Sequence, residues 1–473
     1  MAVNSSIGGN AHGTSYREDC TAVTTRDGPA VAVLWTHSLV WGLLCIDALS
    51  RLGIPFELLS ASEVCEGRLD AYRTLIVPGG WAAHKARALG EKGRSKIAGF
   101  IDQGGSYLGF CGGAGLALSS PPALYLVPIR RMPLSQRLPS ASGRIYVSGM
   151  ATHCAWKNIP ERIPVSIWWP SQFLVPSGCE VSCLAAYTQT AGEDFQVADV
   201  RVCDMDGTVS WGELERVYGI NLDPARIDGQ PAIIEARRGK GRLILSYAHI
   251  ETPGDFWGNR LFSNILKYLD DSYNGPGPGG KTGALPLGPG GSKGQSGLLL
   301  TDLLASVPGH RANVGTPASG TMKAKEAVSD LIAFGEANLL WNWRKPWLLH
   351  WRRGIRGFEY GSLFVCLCCM AELEQKSLEA GCGPEQAEGA AELEQMTLEF
   401  CEFARRLLFE EKIASGIGAV SKIGKVNDKV DSLRTLLFGK KMNHGGLCAA
   451  LFDLIDRMLL DAIRESARGW KEV

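Results

Sequence analysis

The feature that most limits what this chain can become is a regular alternation, from Val31 onward, of short apolar runs with stretches of helical period. Parallel strands need long crossover connections, and a crossover helix must bury one stripe against the sheet, so such alternation predicts a sheet with helices on both faces. VAVLWT (31–36) reads as a buried strand, and Val40 to Leu52 repeats apolar residues at helical spacing until Gly53 and Pro55 stop it. PFELLS (55–60) and RTLIV (73–77) follow as strands, the second ending in Pro78-Gly79-Gly80. A helix from Lys85 to Gln103, closed by Gly104-Gly105, leads into the strand SYLGF (106–110).

The next part is richer in strands: RIYVSG from Arg144, IPVSIWW from Ile163, VSCLAAY from Val181, PAIIEAR from Pro231 and RLILSYA from Arg242, with a closing helix from Asp255 to Tyr268. The expected fold class is α/β, a doubly wound and mostly parallel sheet over residues 29–272, preceded by a flexible N-terminal segment, 1–28. Gly and Pro dominate 273–297, a composition that cannot build a core and reads as a linker. Residues 298–473 are poor in strand patterns. Amphipathic stretches at Lys323–Trp341, Phe358–Leu378, Ala390–Ile413, Val420–Leu437 and Leu447–Ala467 predict a separate all-α domain. AELEQKSLE (371–379) recurs as AELEQMTLE (391–399), a local duplication too short for a solenoid.

Composition narrows the function. The 473 residues carry 49 basic and 49 acidic side chains, so no overall field draws the chain to nucleic acid or an anionic membrane. Fourteen cysteines are too dilute for a disulfide scaffold and suit a reducing compartment. No uninterrupted apolar run is long enough for a membrane span, and 1–28 has no signal-peptide core, so a cytoplasmic location is expected.

The residues that carry chemistry are Gly109-Phe110-Cys111-Gly112-Gly113, between a strand and a helix-like segment. A nucleophile at a strand-to-helix elbow needs small neighbours, here Gly109 and Gly113, so that the backbone can turn sharply while the side chain projects. Free N–H groups at the start of the following helix favour a thiolate. A base lies after another strand, at His249-Ile250-Glu251; in extended chain, residues two apart face one side, so Glu251 can orient the His249 imidazole. Backbone N–H groups at Gly80 and Gly112 are candidates for an oxyanion hole. Taken singly, a tight turn around an inert cysteine and a surface His–Glu pair explain these motifs as well; their shared order and strand context favour a triad.

IVPGG, GGSYLGFCGGAGLAL and GKGRLILSYAHIE together resemble the class I glutamine amidotransferase-like superfamily, nearest the subfamily found as the N-terminal domain of some biotin-protein ligases. The resemblance spans Val31 to Leu269 and implies a flavodoxin-like sheet. It also implies Cys111 as nucleophile, His249 as base, Glu251 as orienting partner, and Gly80 with Gly112 as oxyanion hole. It implies attack on a small amide, glutamine or another, through a thioester. The ligase signature is absent, so no biotinylation is assigned. A non-catalytic ligand-sensing or partner-binding module on the same fold is the alternative.

Gly79, Trp81, Trp168 and Trp169 are pocket-lining candidates. The Trp341–Trp351 segment, with four tryptophans and several cations, reads either as a patch for anionic ligands or as the anchor that docks the helical domain, itself a candidate protein-binding surface. Nucleic acid is the less favoured partner. No metal or organic cofactor is assigned: Cys154, Cys179 and Cys183 are read as buried free thiols rather than metal ligands with His153, and Cys366, Cys368 and Cys369 as helix core.

Overall fold

The computed structural model describes residues 30–149, 152–270, 319–379, 387–418, 424–440 and 444–469. The expected N-terminal segment, 1–28, and the Gly/Pro-rich linker, 273–297, lie outside these residues.

Thirteen described strands precede residue 270: β1 Val31–Leu34, β2 Phe56–Leu59, β3 Thr74–Val77, β4 Ser106–Phe110, β5 Arg130–Arg131, β6 Ala141–Gly149, β7 Arg162–Trp168, β8 Phe173–Leu174, β9 Val181–Thr190, β10 Gln196–Val197, β11 Val200–Arg201, β12 Pro231–Arg238 and β13 Gly241–Ser246. The helices of this part are α1 Leu39–Arg51, α2 Ala61–Glu66, α3 Ala82–Asp102, α4 Gly112–Ala117, α5 Trp211–Tyr218 and α6 Phe256–Leu269. One large mixed sheet runs β11-β10-β6-β9-β12-β13-β4-β3-β1-β2, with β7 on β6. Its doubly wound half is parallel throughout, β13-β4-β3-β1-β2, whereas β12, β9 and β6 extend it antiparallel.

The central parallel strands are largely apolar because both faces are covered. Ile76, Leu108, Phe110 and Ile244 enter one buried cluster, and Leu75, Val77, Tyr107, Leu243 and Leu245 enter another on the opposite face. Register then positions the strand ends: Phe110 pairs with Ser246, and Gly109 with Val77. The residues that follow β3, β4 and β13 therefore emerge side by side at the carboxyl edge.

Beyond residue 318 lie α7 Gly320–Ala337, α8 Gly357–Glu379, α9 Ala387–Ile417, α10 Asp428–Phe438 and α11 Gly446–Gly469. The region is helical as expected, with one addition: β14 Trp341–Lys345 and β15 Leu348–Trp351 form an antiparallel hairpin. Alternation of large rings and polar residues with Pro346 at the bend suits period two better than helical period. The hairpin and helices share a continuous apolar core with the α/β part, from Trp35 and Leu44 through Trp347 and Tyr360 to Leu451 and Ile455.

Polar ties reinforce that seam. Arg344 donates to the Ser142 hydroxyl (2.9 Å) and carbonyl (3.1 Å) and to the Asp194 carbonyl. Trp35 Nε1 donates to the Asp456 carbonyl at 2.8 Å, and Arg464 to the Leu58 carbonyl at 2.7 Å. No described helix is long and apolar enough to cross a membrane.

Candidate active site

Cys111 sits where β4 turns into α4, with φ +45° and ψ −104°, a conformation L-residues rarely adopt. Its neighbours explain how the turn closes. A Cβ on Gly113 would lie 1.9 Å from the Val77 carbonyl oxygen, and one on Gly109 would lie 2.8 Å from the backbone of Gly113 and Ala114. The Cys111 N–H is anchored to the Ser246 carbonyl at 2.8 Å, which ties the elbow to β13. Cys111 keeps partial exposure while the strand beneath it is buried.

His249 and Glu251 lie beyond β13 in a turn, not in the extended chain that the strand pattern suggested. The chain turns because Thr252 N–H bonds back to the His249 carbonyl (3.1 Å) and the Asn259 amide bridges the Ile250 and Thr252 carbonyls. The side chains still meet: His249 Nδ1 is 2.7 Å from Glu251 Oε1, and both are buried. The His249 N–H donates to the Ser166 carbonyl at 2.8 Å, which fixes the residue against β7.

Burial alone would push the His249 pKa down, but the charge of Glu251 outweighs it and raises it to about 10. The Glu251 carboxylate thus favours the protonated imidazole, while His249 Nε2 makes no hydrogen bond among the described residues.

Gly80, at φ +101°, packs so closely that a Cβ there would lie 2.2 Å from the His37 carbonyl oxygen. A Cβ on Gly112 would in turn meet the Gly80 carbonyl at 2.3 Å, so the two glycines touch. Trp81 N–H is spent on the His37 carbonyl at 3.2 Å, whereas the Gly80 and Gly112 amides donate to no backbone carbonyl among the described residues.

The aromatic candidates divide. Cys111 Sγ lies 3.9 Å from the Trp168 carbonyl, and the Trp169 ring packs against Trp41, Trp351 and Phe358. Gly79 lies beneath the Trp41 indole, where a Cβ would come within 2.8 Å. Trp81 instead points to the helical region, between His84, His444 and Phe452.

Three residues near the site were missed: Trp41, whose ring lies 4.7 Å from that of His249, and Trp347 and Phe358, which pack on Trp41 from the helical region. Only the clustering of tryptophans signalled them in the sequence; nothing local said where they would dock. That segment serves as an anchor, with Arg344 over the Trp168 ring. Cys366, Cys368 and Cys369 are buried along α8, and the described cysteines are all free. Contrary to the expectation of buried thiols, Cys154 is exposed and Cys179 and Cys183 are half-buried; Cys183 bonds to the Ala185 carbonyl, and His153 contacts Glu235.

The fold is a doubly wound sheet with a cysteine elbow at its carboxyl edge. Residues 69–120, from the approach to β3 through the elbow, match the family described as biotin-protein ligase, N terminal. No curated protein matches the chain. Among solved structures, a Thermoplasma acidophilum protein assigned as a GMP synthase subunit is 14% identical, with 50% of this chain and 92% of that one covered and a TM-score of 0.33. A glutamine amidotransferase from Thermotoga maritima is 14% identical over 51% of this chain and 82% of its own, with a TM-score of 0.30. A beta-galactosidase from Bacillus circulans is 13% identical over 51% of this chain and 31% of its own, with a TM-score of 0.31.

Proposed function

We propose that the chain is a cysteine-dependent amide hydrolase or amidotransferase, with Cys111 as nucleophile, His249 as acid and base, and Glu251 as its orienting partner. The observation that carries this reading is the buried His249–Glu251 contact of 2.7 Å, beside the strained Cys111 elbow at the end of the adjacent paired strand. A thiolate beside an imidazolium attacks the amide carbonyl carbon, and the carbonyl electron pair moves onto oxygen. Amides at Gly80 and Gly112 are the candidate donors to that oxyanion. As the tetrahedral adduct collapses, His249 passes its proton to the leaving nitrogen, and ammonia or an amine departs from a Cys111 thioester. Water, giving a proton to His249, then attacks the thioester; the carboxylic acid leaves and the thiolate–imidazolium pair returns. Glutamine is the first substrate to test.

The test is alkylation across pH, read cysteine by cysteine. Cys368, pushed up to about 11 by burial, and Cys369 and Cys401, pushed up to about 12, serve as unreactive internal controls. Reaction at Cys111 near pH 6, suppressed by glutamine, is the expected result; an inert Cys111 would sink the proposal. The aromatic cover over His249 supports a second reading, a ligand-sensing module, under which Cys111→Ala leaves ligand binding and biological function intact.

A further inference from the structure

A second group of titratable side chains lies at the seam between sheet and helices, apart from the triad. His37 follows β1, His84 lies in the first turn of α3, and Asp453 is on α11. One potential ligand atom from each falls within 4.8 Å of the other two. His37 Nδ1 and Asp453 Oδ1 face one another at 3.5 Å. Both atoms are shielded from solvent, and neither makes a hydrogen bond. Buried polar atoms left in this state are costly, and something normally satisfies them.

We propose that His37, His84 and Asp453 form a site for a divalent transition metal of the zinc class, which clamps α11 onto the α/β domain.

Two imidazoles and one carboxylate are a common donor set for zinc, leaving a fourth position for water. Tetrahedral zinc with nitrogen and oxygen ligands at roughly 2.0–2.2 Å spaces its donors about 3.4 Å apart, close to the His37–Asp453 separation. A simple ion pair explains the arrangement less well. Burial first, then the charges of Lys85, His84 and Arg87, hold the His37 pKa down at about 3, so its ring is neutral and suited to ligate. The nearby cations do not fill the gap. Lys85 Nζ donates to the Thr36 carbonyl (2.8 Å) and the Ser38 hydroxyl, and its charge is opposed by Asp456, whose carboxylate accepts the His37 N–H at 3.0 Å. Burial raises the Asp453 pKa above its ordinary value, opposed by the charges of His84, Arg457 and Arg87.

The location gives the clamp a consequence. The His37 carbonyl accepts the Trp81 N–H and would meet any Cβ on Gly80, so one residue joins the metal ligands to the loop beside Cys111.

The experiment uses the full chain, stripped with chelator and titrated with Zn2+ against a chromophoric competitor, then with Co2+ for its absorption spectrum. One equivalent should bind, with cobalt bands that lack the intense sulfur-to-metal charge transfer of thiolate ligation. His84→Ala and Asp453→Asn should each weaken binding at least about 10-fold, while Cys111→Ala should leave it unchanged. Asp453→Asn keeps the side-chain shape, so it decides the question if His84→Ala fails to fold. No bound equivalent, affinity unchanged in Asp453→Asn, or thiolate bands would overturn the assignment.

Discussion

The Trp41 indole lies over the His249 imidazole, ring centres 4.7 Å apart and planes 30° from parallel. The same indole stacks on Phe358 at 5.7 Å and meets Trp347 edge-on at 5.7 Å. One residue of α1 therefore connects the His249–Glu251 pair to the helical region. That packing joins residues some three hundred positions apart in the chain.

Removal of the Trp347 ring should loosen this cover. Trp347→Ala is expected to cost about 3–5 kcal/mol and to speed alkylation of Cys111 under conditions where the protein stays folded. Trp343→Ala is the comparison, because that ring packs on Phe364. Equal acceleration in both variants, measured by site-resolved mass spectrometry, would argue against a specific cover.

The elbow should tolerate no side chain at position 113. Gly113→Ala places a Cβ against the Val77 carbonyl at 1.9 Å, an overpacking expected to cost about 3 kcal/mol or more. Gly99→Ala, in α3 with nothing within 4 Å, should raise stability by about 0.5–1 kcal/mol through helix propensity. Thermal melts of the pair give opposite shifts if the close approach has been read correctly.

Stability should fall as pH rises through the alkaline range. His249 is raised to about 10 in the folded chain from an ordinary 6.5, so the native state binds more protons in between. Its contribution is complete below the unfolded value and is lost as pH climbs through the folded one. Asp255, pushed up to about 6 by burial, acts in the same sense from its ordinary 3.8 upward. His37, held down at about 3, acts in the opposite sense, costing stability as pH falls below 6.5. Glu251→Gln removes the charge that raises His249. Denaturant midpoints near pH 6 and pH 9.5 should therefore lie closer together in this variant than in the wild type; an undiminished gap would assign the alkaline loss to other groups.

The seam between the two parts should weaken at Arg344. This buried guanidinium serves the Ser142 hydroxyl and carbonyl together with the Asp194 carbonyl. Arg344→Ala leaves those acceptors unsatisfied and should cost about 1.5–3 kcal/mol. Because the bonds are buried, the loss should change little between low and high salt, which chemical denaturation at two ionic strengths can check.

Much of the α/β architecture could be read locally. Apolar strands, helical spacing and Gly/Pro stops are short-range steric and solvation effects, and they placed β1, β3, β4, β12 and β13 within a residue or two. The Gly109–Gly113 turn was legible for the same reason, since only glycine admits such close backbone approach. The antiparallel extension was seen as strands but not as a sheet order, because pairing partners are chosen across long separations. His249 and Glu251 were identified, yet through strand alternation that the turn after β13 does not follow; their contact comes from the turn's own hydrogen bonds.

What the sequence by itself determined is the backbone chemistry of the elbow, the alternation that winds the sheet and the helical character of the C-terminal region. Tertiary structure alone decided that Trp41, Trp347 and Phe358 would roof the imidazole, that the Trp341–Trp351 segment would bend into a docking hairpin, and that His37, His84 and Asp453 would converge. The physical reason is range. Steric limits and hydrophobic period act between residues a few positions apart, whereas burial of a ring or convergence of ligands depends on which surfaces the folded sheet and helices leave for one another.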